Sequence, residues 1–150
     1  MQQTTAKEFL QQIEKDDLII KNKSVELYQL KCLVTSTTAT MKDDPVQTSG
    51  ASDKVGRITA KMIDLQNEIN VLIDKYIDDR QERIKIIEQV KDPLQYKILH
   101  MRYIQYDKYK KMSDIANKLH FSEVWVAKIH GQGLQEVQKM LNFQKEYRKV

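Results

Sequence analysis

Between Val55 and Tyr76 the apolar residues Val55, Ile58, Met62, Leu65, Ile69, Leu72 and Tyr76 follow one another in alternating steps of three and four. That spacing belongs to one stripe of a helix; a half-buried strand would repeat every second residue. A stripe kept over three heptads is a seam that faces another helix, because a lone amphipathic helix is marginal in water. A partner stretch precedes it. Ile13, Ile20, Leu27 and Val34 recur every seven residues, flanked by Phe9, Leu30 and Leu33, although Asp16 and Lys23 occupy the other seam positions. Between the two lies TSTTATMKDDPVQTSGASDKVG, residues 35–56, with a Pro, two Gly and many Thr and Ser. It reads as a loop, flexible over about residues 35–54, and Asp53 reads as the cap of the second helix.

The strict repeat falters at Arg80, then Ile84, Ile87 and Val90 resume it, and Asp92-Pro93 ends or sharply kinks the helix. Residues 1–92 are thus expected to form a long antiparallel, coiled-coil-like helical hairpin that serves as a scaffold. An intermolecular coiled coil competes with it, and the two are compatible, since Ile73, Ile77 and Ile84 are left seeking a third surface. A homo-oligomer, first of all a dimer, is expected.

With 4 Gly and 2 Pro in 150 residues, the chain lacks the frequent turns of a β-sandwich, and the expected class is all-α. Cys32 is the single cysteine, which excludes an internal disulfide and a cysteine-based zinc site and suits a reduced, cytoplasmic thiol. No signal-peptide-like run opens the chain and no apolar stretch reaches membrane-spanning length, so a soluble protein with no membrane partner is expected.

Charge divides the chain. Residues 1–92 carry 14 Lys/Arg and 16 Asp/Glu, net −2, whereas residues 93–150 carry 11 and 5, net +6, together the +4 of the whole. A basic end on a near-neutral scaffold suggests contact with nucleic acid; a merely solubilising excess is the plain alternative.

Pro93 suits the first turn of a helix in which Leu94, Ile98, Leu99, Met101 and Ile104 form the apolar side. QYDKYKKMS follows as a polar, basic connector. In MSDIANKLHFSEVWVAKIHGQGL, residues 112–134, a helical pattern runs to Leu119, breaks at His120-Phe121-Ser122 and resumes at once. Ser113 can cap the short helix and Ser122 the next one. So short a break forces a steep crossing, the helix-turn-helix arrangement. Ile115, Leu119, Phe121, Val126 and Ile129 supply the apolar contacts and Ala116 the small residue at the crossing. Glycine usually fills the turn position that requires positive φ, and here it is His120, at some strain. The second helix should run to about Leu141 and bury Val126, Ile129, Leu134, Val137 and Leu141.

Residues 93–150 are therefore expected to form a helix-turn-helix DNA-binding domain. The leading end of its second helix would enter the major groove with Ser122, Glu123, Val124, Ala127, Lys128 and, further on, Gln132. Lys128 can donate to guanine or phosphate, Glu123 can accept from cytosine, and Val124 or Ala127 can touch a thymine methyl. Lys108, Lys110, Lys111 and Lys118 would meet phosphates. Trp125 falls beside this edge, packing on the 94–106 helix or a partner, or lying against the DNA backbone. The unit could also be a structural crossing or a docking surface for protein.

The stretch YKILHMRYIQYDKYKKMSDIANKLHFSEVWVAKIHGQGLQEV resembles region 4 of sigma-70-type transcription factors. The whole chain resembles the RinA/ArpU-like small transcription regulators of phages and prophages. PVQTSGASDKVGRITAKMIDLQNEIN, residues 45–70, and the series from Arg102 to Leu134 carry that closer likeness. The resemblance implies sequence-specific binding of double-stranded DNA near phage late or packaging genes, in the cytoplasm of a bacterial host, with host RNA polymerase as a further partner. The base-reading positions of the sigma region fall on Glu123, Val124, Ala127 and Lys128, where two apolar residues replace the usual basic or polar ones. The alternative function is a DNA-packaging or assembly protein of the small-terminase type, or a protein-interaction module. Gln47-Thr48-Ser49-Gly50 reads as a turn or as a partner-binding tip.

No catalytic constellation is evident. His100, His120 and His130 lack ligand spacing with carboxylates on one face, QTSGAS lacks the phosphate-cradling Gly-x4-Gly-Lys pattern, and the Asp16-Asp17, Asp43-Asp44 and Asp78-Asp79 pairs read as solvated charge. The expectation is no enzyme, no metal and no cofactor.

Overall fold

The computed structural model describes residues 4–43 and 48–150. The protein is all-α: α1 spans Ala6–Asp43, α2 Thr48–Glu88, α3 Pro93–Tyr103, α4 Met112–Leu119 and α5 Glu123–Arg148, with no strand among the described residues. No described helix is long and apolar enough to cross a membrane.

The expected loop is mostly helix. Residues 35–43 continue α1 and residues 48–54 belong to α2. The hydroxyls explain why the Thr/Ser run does not stop α1. Thr35 donates to the Lys31 carbonyl at 3.0 Å, Ser36 to Leu33 at 3.2 Å and Thr38 to Val34 at 2.8 Å, so each bonds back along the helix rather than competing with it. Asp53 lies inside α2 and is not its cap. Gln47 of the Gln47–Gly50 stretch lies outside the described residues, and Thr48 to Gly50 are helical, which removes the turn expected there.

The chain forms two compact units, and their division is not at residue 92. One comprises Asp16–Tyr76; the other joins the residues up to Lys15 to Ile77–Val150. In the first, Leu27, Leu65 and Ile69 form a core with Ile20, Leu30 and Met62 packed around it. Asp16 and Lys23, the polar seam positions, are explained by ion pairs across the seam. Lys23 Nζ lies 2.9 Å from Glu68 Oε2, and Lys75 Nζ lies 3.1 Å from Asp16 Oδ1. Pairing 16 with 75 and 23 with 68 means that α1 and α2 run antiparallel within this unit. Ile73 is 37% exposed.

In the second unit the first turns of α1 contribute Ala6, Leu10 and Ile13, and the end of α2 with the turn that follows it contributes Ile86, Ile87 and Val90, all buried. The three-four spacing does not end at Arg80: it passes through Asp79 and Arg83. Arg83 is 7% exposed. Its Nε donates to the Phe9 carbonyl at 3.0 Å, its Nη1 reaches Asp79 at 3.2 Å and Glu82 at 2.9 Å, and its guanidinium lies 4.0 Å from the Phe9 ring centre. A buried arginine is tolerable only with such a full set of partners. Ala6 N–H also donates to Gln138 Oε1 at 2.7 Å, tying the chain's start to α5. Such long-range contacts join the start of α1 to α5 within this unit. In this unit Ile77 is 46% exposed and Ile84 half-buried.

Candidate nucleic-acid interface

The C-terminal helices are set by local chemistry. Asp92 caps α3, its Oδ1 accepting from Leu94 and Gln95 N–H at 2.9 Å, with Pro93 in the first turn. α4 begins at Met112, and Ser113 is therefore inside it rather than its cap. Asp114 Oδ2 instead accepts from Lys111 N–H at 3.0 Å, the backward half of a capping box.

At the end of α4 His120 takes φ 58 and ψ 38, and it is the one non-glycine residue at positive φ among the described residues. The Ala116 carbonyl accepts from both the His120 N–H and, at 3.0 Å, the Phe121 N–H. This left-handed closure with a six-to-one hydrogen bond terminates α4 in a single residue. Ser122 then caps α5, its Oγ accepting from Trp125 N–H at 3.2 Å.

The turn lets α4 and α5 share a core with α3. Ile98, Met101, Tyr109, Ile115, Ala116, Val126 and Ile129 are buried together, and Leu94, Met112 and Leu119 close its rim. Four details differ from expectation. Phe121 is 44% exposed. Leu134 is half-buried, and α5 runs on to Arg148. The supposed polar connector buries Tyr106 and Tyr109, the second within this core, while the intervening Asp107 and Lys108 are exposed.

Gly133 is buried where α5 meets α3: a Cβ there would stand 3.0 Å from Leu99 Cδ1 and 3.2 Å from Leu99 Cγ. A glycine in mid-helix, aligned with Val126, Ile129 and Val137, is the signal that could have found it. Leu99 is fully buried and has little room to yield. Gly133→Leu should therefore destabilise by about 1–3 kcal/mol through overpacking. Gly131, with nothing within 4 Å, should gain about 0.5–1 kcal/mol on Gly131→Ala. Chemical denaturation of the two variants checks the opposite signs.

α5 thereby presents an edge opposite its core face. Val126 is fully buried, while Val124, two residues earlier, is 81% exposed. Ser122, Glu123, Ala127 and Lys128 are exposed along with it, and Gln132 is exposed one turn further on. Lys110, Lys111 and Lys118 are exposed too, the first two before α4 and the third in its last turn. Trp125 is 42% exposed rather than packed away, with Lys128 Nζ 5.6 Å from its ring centre. Glu123 sits in the first turn of α5, where the helix dipole favours an acid irrespective of any ligand.

Behind this edge, His130 Nε2 lies 2.8 Å from Tyr103 Oη, and the rings stack at 5.6 Å. Burial, followed by the neighbouring charges of Arg102 and Lys7, pushes His130 down to about 4, and burial pushes Tyr103 up to about 12. His130 is thus neutral near pH 7 and shares a hydrogen bond with the Tyr103 hydroxyl. It protonates more readily unfolded, near 6.5, than folded. The native state therefore keeps this stability above pH 6.5 and loses it as pH falls from there to about 4. Discounted for partial exposure, the loss by pH 4.5 should be about 2 kcal/mol. Thermal melts at pH 7 and 4.5 measure it, and His130→Gln should narrow the difference.

Among the described residues no group of His, Cys, Asp or Glu has an arrangement that could hold a metal ion. No family model matches the chain, and neither a curated protein nor a solved structure resembles it at a significant level.

Proposed function

We propose that α4 and α5 act as a helix-turn-helix that binds double-stranded DNA in a sequence-specific manner, and that the chain is a transcription regulator of phage or prophage late or packaging genes. The observation that carries this reading is the single-residue closure at His120. It lets a short helix brace a long one so that Val124, Ala127 and Lys128 stand clear of the core. An edge of that kind fits a major groove. The lysines around it supply the charge for phosphate contact.

In this reading the paired long helices are a coiled-coil-like hairpin that serves as scaffold and holds a homo-oligomer together. Host RNA polymerase is a further partner, the setting is the bacterial cytoplasm, and the protein performs no catalysis. Mapping the DNA bound by the chain in its host tests the function. Enrichment upstream of late or packaging genes is the expected result. Uniform background, together with no retention of a mixed-sequence duplex at low salt, would remove it.

A further inference from the structure

α2 carries a second stripe that α1 does not cover. Ile63, Gln66, Asn70 and Ile73 follow three-four-three spacing, one step round the helix from the seam residues Met62, Leu65, Ile69 and Leu72. Ile63 is 57% and Ile73 37% exposed. Between them Gln66 Nε2 donates to Asn70 Oδ1 at 3.0 Å. The Lys23–Glu68 and Lys75–Asp16 ion pairs lie on the opposite flank of the seam, so they leave this side open. The same pairings set Tyr28 of α1, 68% exposed, level with Ile63 on the open side.

A stripe with coiled-coil spacing is matched by another helix with that spacing. The unit Asp16–Tyr76 has a single layer of two helices, whereas a stable core needs a second layer against the first. The stripe is also its own complement. Read in either direction it runs apolar, polar, polar, apolar, so a second copy places Ile against Ile and amide against amide. That is the requirement for an interface in which both subunits use the same patch. Charge does not oppose the pairing, since residues 16–76 hold 8 Lys/Arg and 9 Asp/Glu, net −1.

We propose that this stripe of α2, flanked by Tyr28, is the surface on which a second copy of this chain docks, giving a dimer joined through two stacked two-helix layers. The proposal rests on the homo-oligomer in the reading above and names its face; it does not depend on DNA.

Sedimentation equilibrium of the full chain at micromolar concentration tests it. The native chain should weigh twice its 17.7 kDa, and Ile63→Glu with Ile73→Glu should weigh 17.7 kDa with helicity retained by circular dichroism. Val71→Glu, at an exposed position on the other side of α2, should stay dimeric. If the double glutamate variant loses helicity, Ile63→Ala with Ile73→Ala serves in its place and should weaken dimerisation at least about tenfold. A monomeric native chain overturns both the dimer and its face. A double variant that remains dimeric, or a Val71→Glu variant that dissociates as readily, overturns the face alone.

Discussion

Replacing Lys110, Lys111 and Lys118 with alanine should lower affinity for a mixed-sequence duplex about a hundredfold near physiological salt. Each lysine that neutralises a phosphate releases condensed counterions and contributes about 0.9 to the slope of log affinity against log salt. Three such contacts make the slope shallower by about 2.7, and at 0.15 M salt that corresponds to about two powers of ten. All three side chains are exposed, and none lies in the core formed by α3, α4 and α5, so the folded state should survive their loss. Lys128→Ala should behave differently, costing about 1–3 kcal/mol at one base position while leaving mixed-sequence binding nearly intact. Fluorescence anisotropy across a salt series reads both. A triple variant with the native slope would remove the phosphate-contact role, and a triple variant that melts early would show these lysines to be structural instead.

Ile115→Ala should destabilise the C-terminal helices by about 2–5 kcal/mol, the range for truncating a well-packed core aliphatic. Ile115 is fully buried among Ile98, Met101, Tyr109, Val126 and Ile129, whereas the other large apolar side chains of α4, Met112 and Leu119, are only partly buried. Against a typical folding free energy of about 5–15 kcal/mol, this loss is large enough to melt α4 away from α5 at moderate temperature. DNA affinity should then fall although no proposed contact residue has changed. Val124→Ala is the contrast, since its side chain is 81% exposed and its loss should leave stability within about 0.5 kcal/mol of native. Urea unfolding followed by circular dichroism measures the pair. Equal midpoints for Ile115→Ala and the native chain would contradict the packing described here.

The proposed DNA-contact edge was largely legible because its determinants are local. Positive φ at His120, the Ser122 cap and the burial of Ala116 all follow from residues within a few positions of one another. The exposure of Val124 beside buried Val126 follows from helical periodicity once α5 is placed. Phe121 escaped the same reasoning, since a large aromatic after a helix is equally compatible with a buried or an exposed ring. Tyr106 and Tyr109 escaped it too: their neighbours are polar or charged, yet both side chains are buried.

The sequence by itself determined the helical class, the seam of α2, the close of α4 and the leading end of α5, since each depends on spacing and capping over a turn or two. Only the tertiary structure decided that Arg83 is buried against Phe9, that Gly133 is required beneath Leu99 and that the first turns of α1 belong with α5. Those outcomes depend on which distant groups arrive to accept a hydrogen bond or fill a space. A glycine reads as a weak helix residue, and a buried arginine as an unpaired charge, until the partner 34 or 74 positions away is in place.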